Sequence, residues 1–200
     1  MIGIIDYGLG NIKAISNIYD KLKIKNMIVK SEFDFEKAER LILPGVGSFD
    51  SAMSLLYKKN YMKTIISMVL EKEKKILGIC VGMQLFAKKS EEGSMDGFSW
   101  INGEVKKFEK ADYRLPHMGW NSIKKNKENS LFNNIENDEY FYFCHSYYFK
   151  SESNENILTQ TSFGSNFASS INNKNIYGIQ FHPEKSHDNG AIILKNFAKL

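Results

Sequence analysis

Cysteine is scarce in this chain of 200 residues: there are two, Cys80 and Cys144. Two thiols make no disulfide framework, and neither sits in the paired spacing of a metal site, so no metal is expected. Long apolar runs are lacking as well. Residues 1–5 are too short for a signal peptide and no stretch approaches a membrane span, which excludes a membrane-embedded chain and makes a cytoplasmic protein the expectation. Charge of one sign is also in short supply, since 27 Lys and Arg stand against 23 Asp and Glu for a net charge of +4. The lysines are scattered among glutamates. Even the small cluster Lys124, Lys125 and Lys127 reads as a solvated face, so no nucleic-acid partner is expected. There is no low-complexity tract, linker or charge block that would divide the chain. Residues 1–200 are therefore expected to form one domain with a sizeable core.

What is present is organised around residues 75–84, K-I-L-G-I-C-V-G-M-Q. Ile76, Leu77 and Ile79 make a short buried-strand run, and the residues from Met83 on predict a helix reaching to about Lys89. Gly78 and Gly82 flank Cys80. A glycine on each side of a reactive residue, at a strand-to-helix turn, is the logic of a nucleophile elbow. The sharp turn holds the side chain at an awkward backbone angle, and small neighbours let chain and substrate come close. The amide of Val81 would then face a developing oxyanion, and the start of the helix would favour a thiolate at Cys80. The same pattern also fits a buried structural cysteine at a strand end. Partners elsewhere in the chain have to decide.

Read in order, residues 2–6 (I-G-I-I-D) predict a buried strand, 7–11 a tight turn and 12–22 a helix, with Asn11 placed to cap it. The turn begins like a dinucleotide fingerprint, but Lys13 stands where the third glycine would be, so a nucleotide site is rejected. Strands are expected at 26–30 and 40–43, the second stopped by Pro44. The glycines of Gly45-Val46-Gly47 let the backbone turn its amides outward, although a plain tight turn reads the same way. Residues 48–73 predict one or two helices broken near Asn60. Strand and helix alternating at this spacing argue for a parallel sheet with right-handed crossovers, with sites at the carboxyl ends of the strands. After a loop at 90–97 the chain changes character. Strands are expected at 104–108, 118–123, 140–149, 157–161, 167–171 and 176–181, with a hairpin turn at 172–175 and a final helix capped by Asp188. The fold expected is α/β: a mostly parallel central sheet flanked by helices, with an additional strand-rich part.

His182-Pro183-Glu184 follows the last expected strand directly. Histidine is the usual base for a cysteine nucleophile, and a carboxylate two residues on can reach back to the other ring nitrogen. A histidine at a strand end is often merely structural, but this one falls at the same sheet edge as the elbow. His117 and His145 lie in aromatic surroundings and read either as satisfied core residues or as site wall. His187 reads as loop surface.

The motifs G-I-C-V-G-M-Q (78–84) and F-H-P-E (181–184) resemble the class I glutamine amidotransferases of the triad type. D-Y-G-L-G-N (6–11), P-G-V-G-S-F (44–49), P-H-M-G-W-N (116–121), H-S-Y-Y (145–148) and H-P-E-K-S (182–186) narrow the resemblance to the branch serving as glutaminase subunits of imidazole glycerol phosphate synthase. The motifs keep their order from Asp6 to Ser186. The resemblance implies L-glutamine as substrate, Cys80 as nucleophile, His182 as base and Glu184 as the residue holding the ring. It implies an oxyanion met by the Val81 amide and, after a backbone rearrangement, by one from Val46 or Gly47. Gly47, Gln84, Glu92, Ser146 and Tyr147 match positions that recognise glutamine, with the Glu92 carboxylate answering the substrate ammonium. No cofactor is implied.

Nothing in the chain binds an ammonia acceptor, for there is no phosphate loop and no extra domain. The resemblance supplies one: a (β/α)₈-barrel cyclase subunit, paired as a heterodimer, that uses the ammonia in histidine biosynthesis. Asn11, Trp120, Asn121 and Lys185 are the candidate interface residues. The catalytic motifs alone leave three other readings open: ammonia supplied to a sugar amidotransferase in surface-polysaccharide formation, a stand-alone γ-glutamyl cysteine hydrolase, and a silent scaffold.

Overall fold

Short, uninterrupted apolar runs make the middle of the sheet. In the computed structural model, which describes residues 1–109 and 114–200, the first half alternates strand and helix. In order come β1 (Ile2–Ile5), α1 (Ile12–Lys21), β2 (Asn26–Val29), α2 (Glu32–Lys37), β3 (Arg40–Gly45), α3 (Phe49–Lys58), α4 (Tyr61–Ile66), β4 (Lys75–Cys80) and α5 (Val81–Gln84). The second half is strand-rich: β5 (Gly103–Lys107), β6 (His117–Ser122), β7 (Lys124–Lys125), β8 (Tyr140–His145), β9 (Tyr147–Ser151), β10 (Ile157–Phe163), β11 (Ser165–Asn173) and β12 (Ile176–Ile179), closed by α6 (His187–Lys199).

Eight strands form one sheet in the order β2-β1-β3-β4-β12-β11-β10-β7. Neighbours from β2 to β12 are parallel, and the remaining three pairings are antiparallel. β5 pairs with β9 and β6 with β8 in two separate antiparallel ribbons. Every residue of β1 and β12, and all but the first of β3 and β4, is buried. Strands covered on both faces need continuous apolar runs, and that is what these segments carry. The expected α/β architecture with a mostly parallel central sheet and a strand-rich addition is therefore the one observed.

Register does the positioning. Gly45 lies opposite Cys80 across the β3–β4 pair, and Ile179 lies opposite Ile79 across β4–β12. The chain leaving β12 is thereby delivered next to the end of β4.

Several local expectations are corrected. Pro44 does not stop its strand, because β3 runs on to Gly45. Pairing with β1 has ended at Ile42, so a residue without an N–H is tolerated on that flank. Asn11 does not cap α1 with its side chain, which is spent on Glu184 instead. The helix expected to reach Lys89 is a single turn, α5. The carbonyls of Leu85, Phe86, Ala87 and Lys88 are taken by amides of residues 97–101, so no free acceptors remain to continue the helix. Residues 140–149 are two strands rather than one. The chain switches partner at Ser146, from β6 to β5. The strand expected to reach Phe181 ends at Ile179. Asp188 is not the cap of α6, which begins one residue earlier at His187.

Sequence reasoning passed over α2. Its signal was legible as S-x-x-D, and Ser31 and Asp34 form a reciprocal capping box. The break near Asn60 is real: that residue adopts a left-handed conformation, φ +58°, between α3 and α4.

Gly82 measures how tightly α5 is pressed against β3. A Cβ there would lie 1.9 Å from the Leu43 carbonyl oxygen, and backbone cannot give way as a flexible side chain can. Gly82→Ala is expected to destabilise the fold by about 2 kcal/mol, read as a lower midpoint in urea unfolding. An unchanged midpoint would show that α5 moves freely against the sheet.

Candidate active site

Cys80 ends β4 with φ +55° and ψ −112°. A non-glycine residue in that region is strained, and such strain persists only where the surroundings over-determine it. Here the β3 pairing reaches Cys80 itself, and α5 starts at the next residue. The sulfur faces a cavity of about 350 Å³ at the carboxyl ends of β3 and β4. Asn11, Val46, Gly47, Val81, Gln84, Glu92, Ser146, Tyr147, His182 and Lys185 all line that cavity with Cys80. The structure therefore brings together every residue singled out for nucleophile, base, oxyanion and substrate contacts, with Glu184 just behind His182.

Gly47 has φ +86°, and a Cβ there would meet nothing within 4 Å. Conformation rather than crowding demands glycine at that turn. Glu92 is held by the start of α3, where the Phe49 amide donates to its Oε2 at 2.7 Å. The elbow's helix is much shorter than expected. A single turn offers the sulfur less of a dipole than the sequence implied.

His182 is anchored on three sides. Its backbone amide donates to the Tyr142 carbonyl at 2.9 Å. Its carbonyl accepts from Ser186 Oγ at 2.6 Å, and that hydroxyl also receives the Tyr142 amide at 3.0 Å. Its Nδ1 lies 2.9 Å from Glu184 Oε1, which leaves Nε2 to serve the sulfur of Cys80, on the same cavity. Glu184 is 2% exposed at its side chain. Its Oε1 also accepts from Asn11 Nδ2 at 2.7 Å, while Oε2 has no partner among the described residues. Burial is the largest single influence on the His182 ring and disfavours its charge. Hydrogen bonds to Cys80 and Glu184 and their charges together outweigh it and push the pKa up to about 10. Glu184 shows the converse. Burial raises it, but the bond to His182, that ring's charge and the Asn11 amide hold it below the usual carboxylate range.

Two contributors escaped the sequence reading. Gln180, fully buried, donates from Nε2 to the Cys80 sulfur at 3.6 Å and accepts from Gln84 Nε2 at 3.0 Å. Its signal was a polar residue closing an apolar strand two positions before His182. Tyr7 donates its hydroxyl to the Pro44 carbonyl at 2.8 Å and so ties the turn after β1 to the end of β3.

The four residues singled out for a partner interface do not lie together. Asn11 and Lys185 line the cavity, and Lys185 Nζ sits 5.2 Å over the Tyr142 ring. Trp120 is half-exposed, its indole stacked 5.1 Å from His187, which opens α6 rather than lying in a loop. Asn121 points to the opposite face of its strand, where its amide donates to the Ser162 carbonyl at 2.9 Å. Exposed Met118 and Tyr140 accompany Trp120 on the outer face of the β6–β8 ribbon. Among the described residues no group of three or more His, Cys, Asp or Glu side chains could hold a metal ion. No helix among them is long and apolar enough to cross a membrane.

Comparison with known proteins identifies the family. The family model for class-I glutamine amidotransferases matches residues 3–200. The chain is 46% identical to the imidazole glycerol phosphate synthase subunit HisH of Leptospira borgpetersenii and 44% identical to that of Leptospira interrogans, with all of each chain covered. The HisH subunit of Bdellovibrio bacteriovorus is 41% identical, again over the whole of both chains. Among solved structures, a glutamine amidotransferase superposes with a TM-score of 0.75 at 16% identity, covering 100% of this chain and 99% of that one. A putative GMP synthase subunit from Thermoplasma acidophilum gives 0.74 at 19% identity, covering 99% and 92%. At those identities the structures speak for the fold.

A raised histidine pKa has a definite sign. Between its ordinary value of 6.5 and about 10, folded His182 holds a proton that the unfolded chain has released. The stability this contributes is full below 6.5 and is lost as pH rises toward 10. Nitrogen NMR of the ring is expected to show imidazolium at pH 8, and Glu184→Gln should lower its midpoint by a unit or more. A midpoint near 6.5 in the unaltered chain would contradict the coupling.

Proposed function

The chain belongs to the class-I glutamine amidotransferase family, and from that membership we infer that it is the glutaminase subunit of an imidazole glycerol phosphate synthase. It hydrolyses L-glutamine to glutamate and ammonia. The observation that carries the reading furthest is the line of contacts Asn11–Glu184–His182, which shares a cavity of about 350 Å³ with the Cys80 sulfur. Full-length identity to several HisH subunits favours the histidine-pathway acceptor over a sugar.

The chemistry assigned to the residues is acyl transfer. His182 Nε2 takes the thiol proton before the attack, and Cys80 Sγ, as the thiolate beside that imidazolium, attacks the side-chain carbonyl carbon of glutamine. The tetrahedral oxyanion is met by the Val81 amide and by an amide from Val46 or Gly47 after that turn rearranges. His182 then gives its proton to the departing nitrogen, the C–N bond breaks, and ammonia leaves behind a glutamyl thioester. Water activated by the now neutral His182 cleaves the C–S bond, and Glu184 holds the ring in one tautomer throughout. The thiolate charge that helps raise the His182 pKa is gone once the C–S bond forms, so the ring is a stronger acid when the leaving group needs its proton.

Substrate recognition falls to Gly47, Gln84, Glu92, Ser146 and Tyr147. Both hydrogens of the Gln84 Nε2 are engaged, with the Tyr147 carbonyl and with Gln180, so its Oε1 is the atom available to the substrate ammonium beside the Glu92 carboxylate.

Free ammonia in water is mostly ammonium, which is no nucleophile, so the product is useful only if handed on directly. The acceptor site belongs to a partner cyclase of (β/α)₈-barrel form, in a cytoplasmic heterodimer. Asn11 and Lys185 at the cavity, together with the Trp120 face of the β6–β8 ribbon, form the docking surface, and residues 1–200 act as a single glutaminase unit. Docking completes the oxyanion hole, so the isolated chain turns over glutamine slowly.

Co-purification with the cyclase partner, followed by glutamine-dependent synthesis of imidazole glycerol phosphate, tests the assignment. Glutaminase turnover should rise on complex formation. Cys80→Ala should lower it by about four orders of magnitude and abolish labelling by a glutamine-analogue electrophile. Full turnover in the isolated chain, or failure to support growth of a histidine auxotroph lacking this glutaminase, would count against the assignment.

A further inference from the structure

Two buried histidines, His117 and His145, have no part in the chemistry above, yet they connect to it. Asn121 Nδ2 lies 3.1 Å from His117 Nε2, His117 Nδ1 lies 3.0 Å from His145 Nε2, and His145 Nδ1 lies 2.8 Å from the Tyr147 carbonyl. That same carbonyl accepts from Gln84 Nε2 at 2.9 Å. The second hydrogen of Gln84 Nε2 goes to Gln180 Oε1 at 3.0 Å, and Gln180 Nε2 donates to the Cys80 sulfur at 3.6 Å.

The polarity of this line is set by groups that have no choice of role. The Ser122 amide donates to Asn121 Oδ1 at 2.8 Å, and Asn121 Nδ2 donates to the Ser162 carbonyl at 2.9 Å. Nitrogen rather than oxygen of Asn121 therefore meets His117, so His117 Nε2 accepts and its Nδ1 carries the hydrogen. His145 Nε2 accepts in turn, and its Nδ1 hydrogen points at the Tyr147 carbonyl. From the other side, that carbonyl can only accept. Gln84 must present its nitrogen to it, Gln180 its oxygen to Gln84, and Gln180 its nitrogen to the sulfur. Each imidazole holds one hydrogen, and a second on either would set two N–H groups against each other.

The surroundings favour the same state. Phe143 and Phe163 stack on His117 at 4.9 and 4.1 Å, and Phe167 lies edge-on to His145 at 5.1 Å. Burial pushes His117 down to about 4. It pushes His145 down to about 3, against the raising effect of the Tyr147 carbonyl.

We propose that His117 and His145 are positioning residues that, through the Tyr147 carbonyl and the amides of Gln84 and Gln180, aim an N–H donor at the Cys80 sulfur and hold the 145–147 wall of the cavity. A carbonyl has two lone pairs, and filling both fixes its direction. With the His145 donor gone, the Tyr147–Tyr148 peptide loses one of the two donors that fix its direction. The orientation of both amides is then no longer determined from the far end. An N–H aimed at sulfur favours the anion over the thiol, which is the form that attacks. The substrate arm of this proposal rests on the glutaminase reading, but the sulfur arm does not.

Two measurements test it on the full chain. One is the rate of Cys80 alkylation by iodoacetamide, resolved from Cys144 by peptide mass spectrometry. The other is kcat and KM for glutamine in the two-subunit complex. His145→Phe should slow alkylation about tenfold and raise KM by a similar factor, with kcat changing less. His117→Phe should act in the same direction more weakly. His145→Asn, whose amide nitrogen can stand near the lost Nδ1, should recover most of both losses.

Should His145→Phe fail to fold, Gln180→Met removes the terminal donor at similar volume and should reproduce the slower alkylation. Wild-type alkylation in folded His145→Phe or Gln180→Met would overturn the relay. So would His145→Asn behaving no better than His145→Phe, which would mean packing alone. If the unaltered complex does not hydrolyse glutamine, the glutaminase reading fails and the alkylation rates still decide the relay.

Discussion

Parallel hydrogen bonding of β4 to β3 on one side and to β12 on the other sets Gly45 level with Cys80 and Ile179 level with Ile79. Everything at the site inherits its place from that register. A slip of one residue would send each side chain to the opposite face and carry the sulfur away from the His182 ring. Gly82 allows α5 to close directly onto Leu43, so the turn after Cys80 cannot relax. The backbone strain at Cys80 is held by that packing and by the last β3 pairing.

The second constraint is a buried ion pair. A carboxylate 2% exposed is costly without compensation, and so is a buried imidazolium. Paired with each other and with the Asn11 amide, both keep their charges. The compensation has a local cost: the asparagine placed to cap α1 is used instead at Glu184, and that helix begins without a side-chain cap. The contact also binds the turn after β1 to the exit of β12. Elements 173 residues apart in the chain thus meet on one carboxylate oxygen.

The candidate site was more legible in the sequence than the elements around it. Cys80 between its glycines, and His182 two residues before Glu184, carry chemistry whose residue types and spacing are local facts. Helix and strand limits depend on who takes each backbone carbonyl, and that is not local. The helix after Cys80 stops because residues 97–101 claim its acceptors, and the strand expected at 140–149 breaks at Ser146 because two partners compete for it. Trp120 and Asn121 are adjacent in sequence and face opposite ways, since a strand alternates its side chains. Gln180 went unseen because one buried amide in an apolar run has no pattern of its own.

By itself the sequence determined the alternation of apolar strands and helices, the family motifs, and the candidates for nucleophile, base and carboxylate. These follow from hydrophobic period and residue chemistry, which act over a few positions. Only the tertiary structure decided which carbonyls end the helices, that Asn11 serves Glu184, and that His117 and His145 are joined to the sulfur through Tyr147, Gln84 and Gln180. Such contacts arise from register and burial between distant segments. A hydrogen bond between residues far apart in the chain leaves no mark in either residue's own neighbourhood.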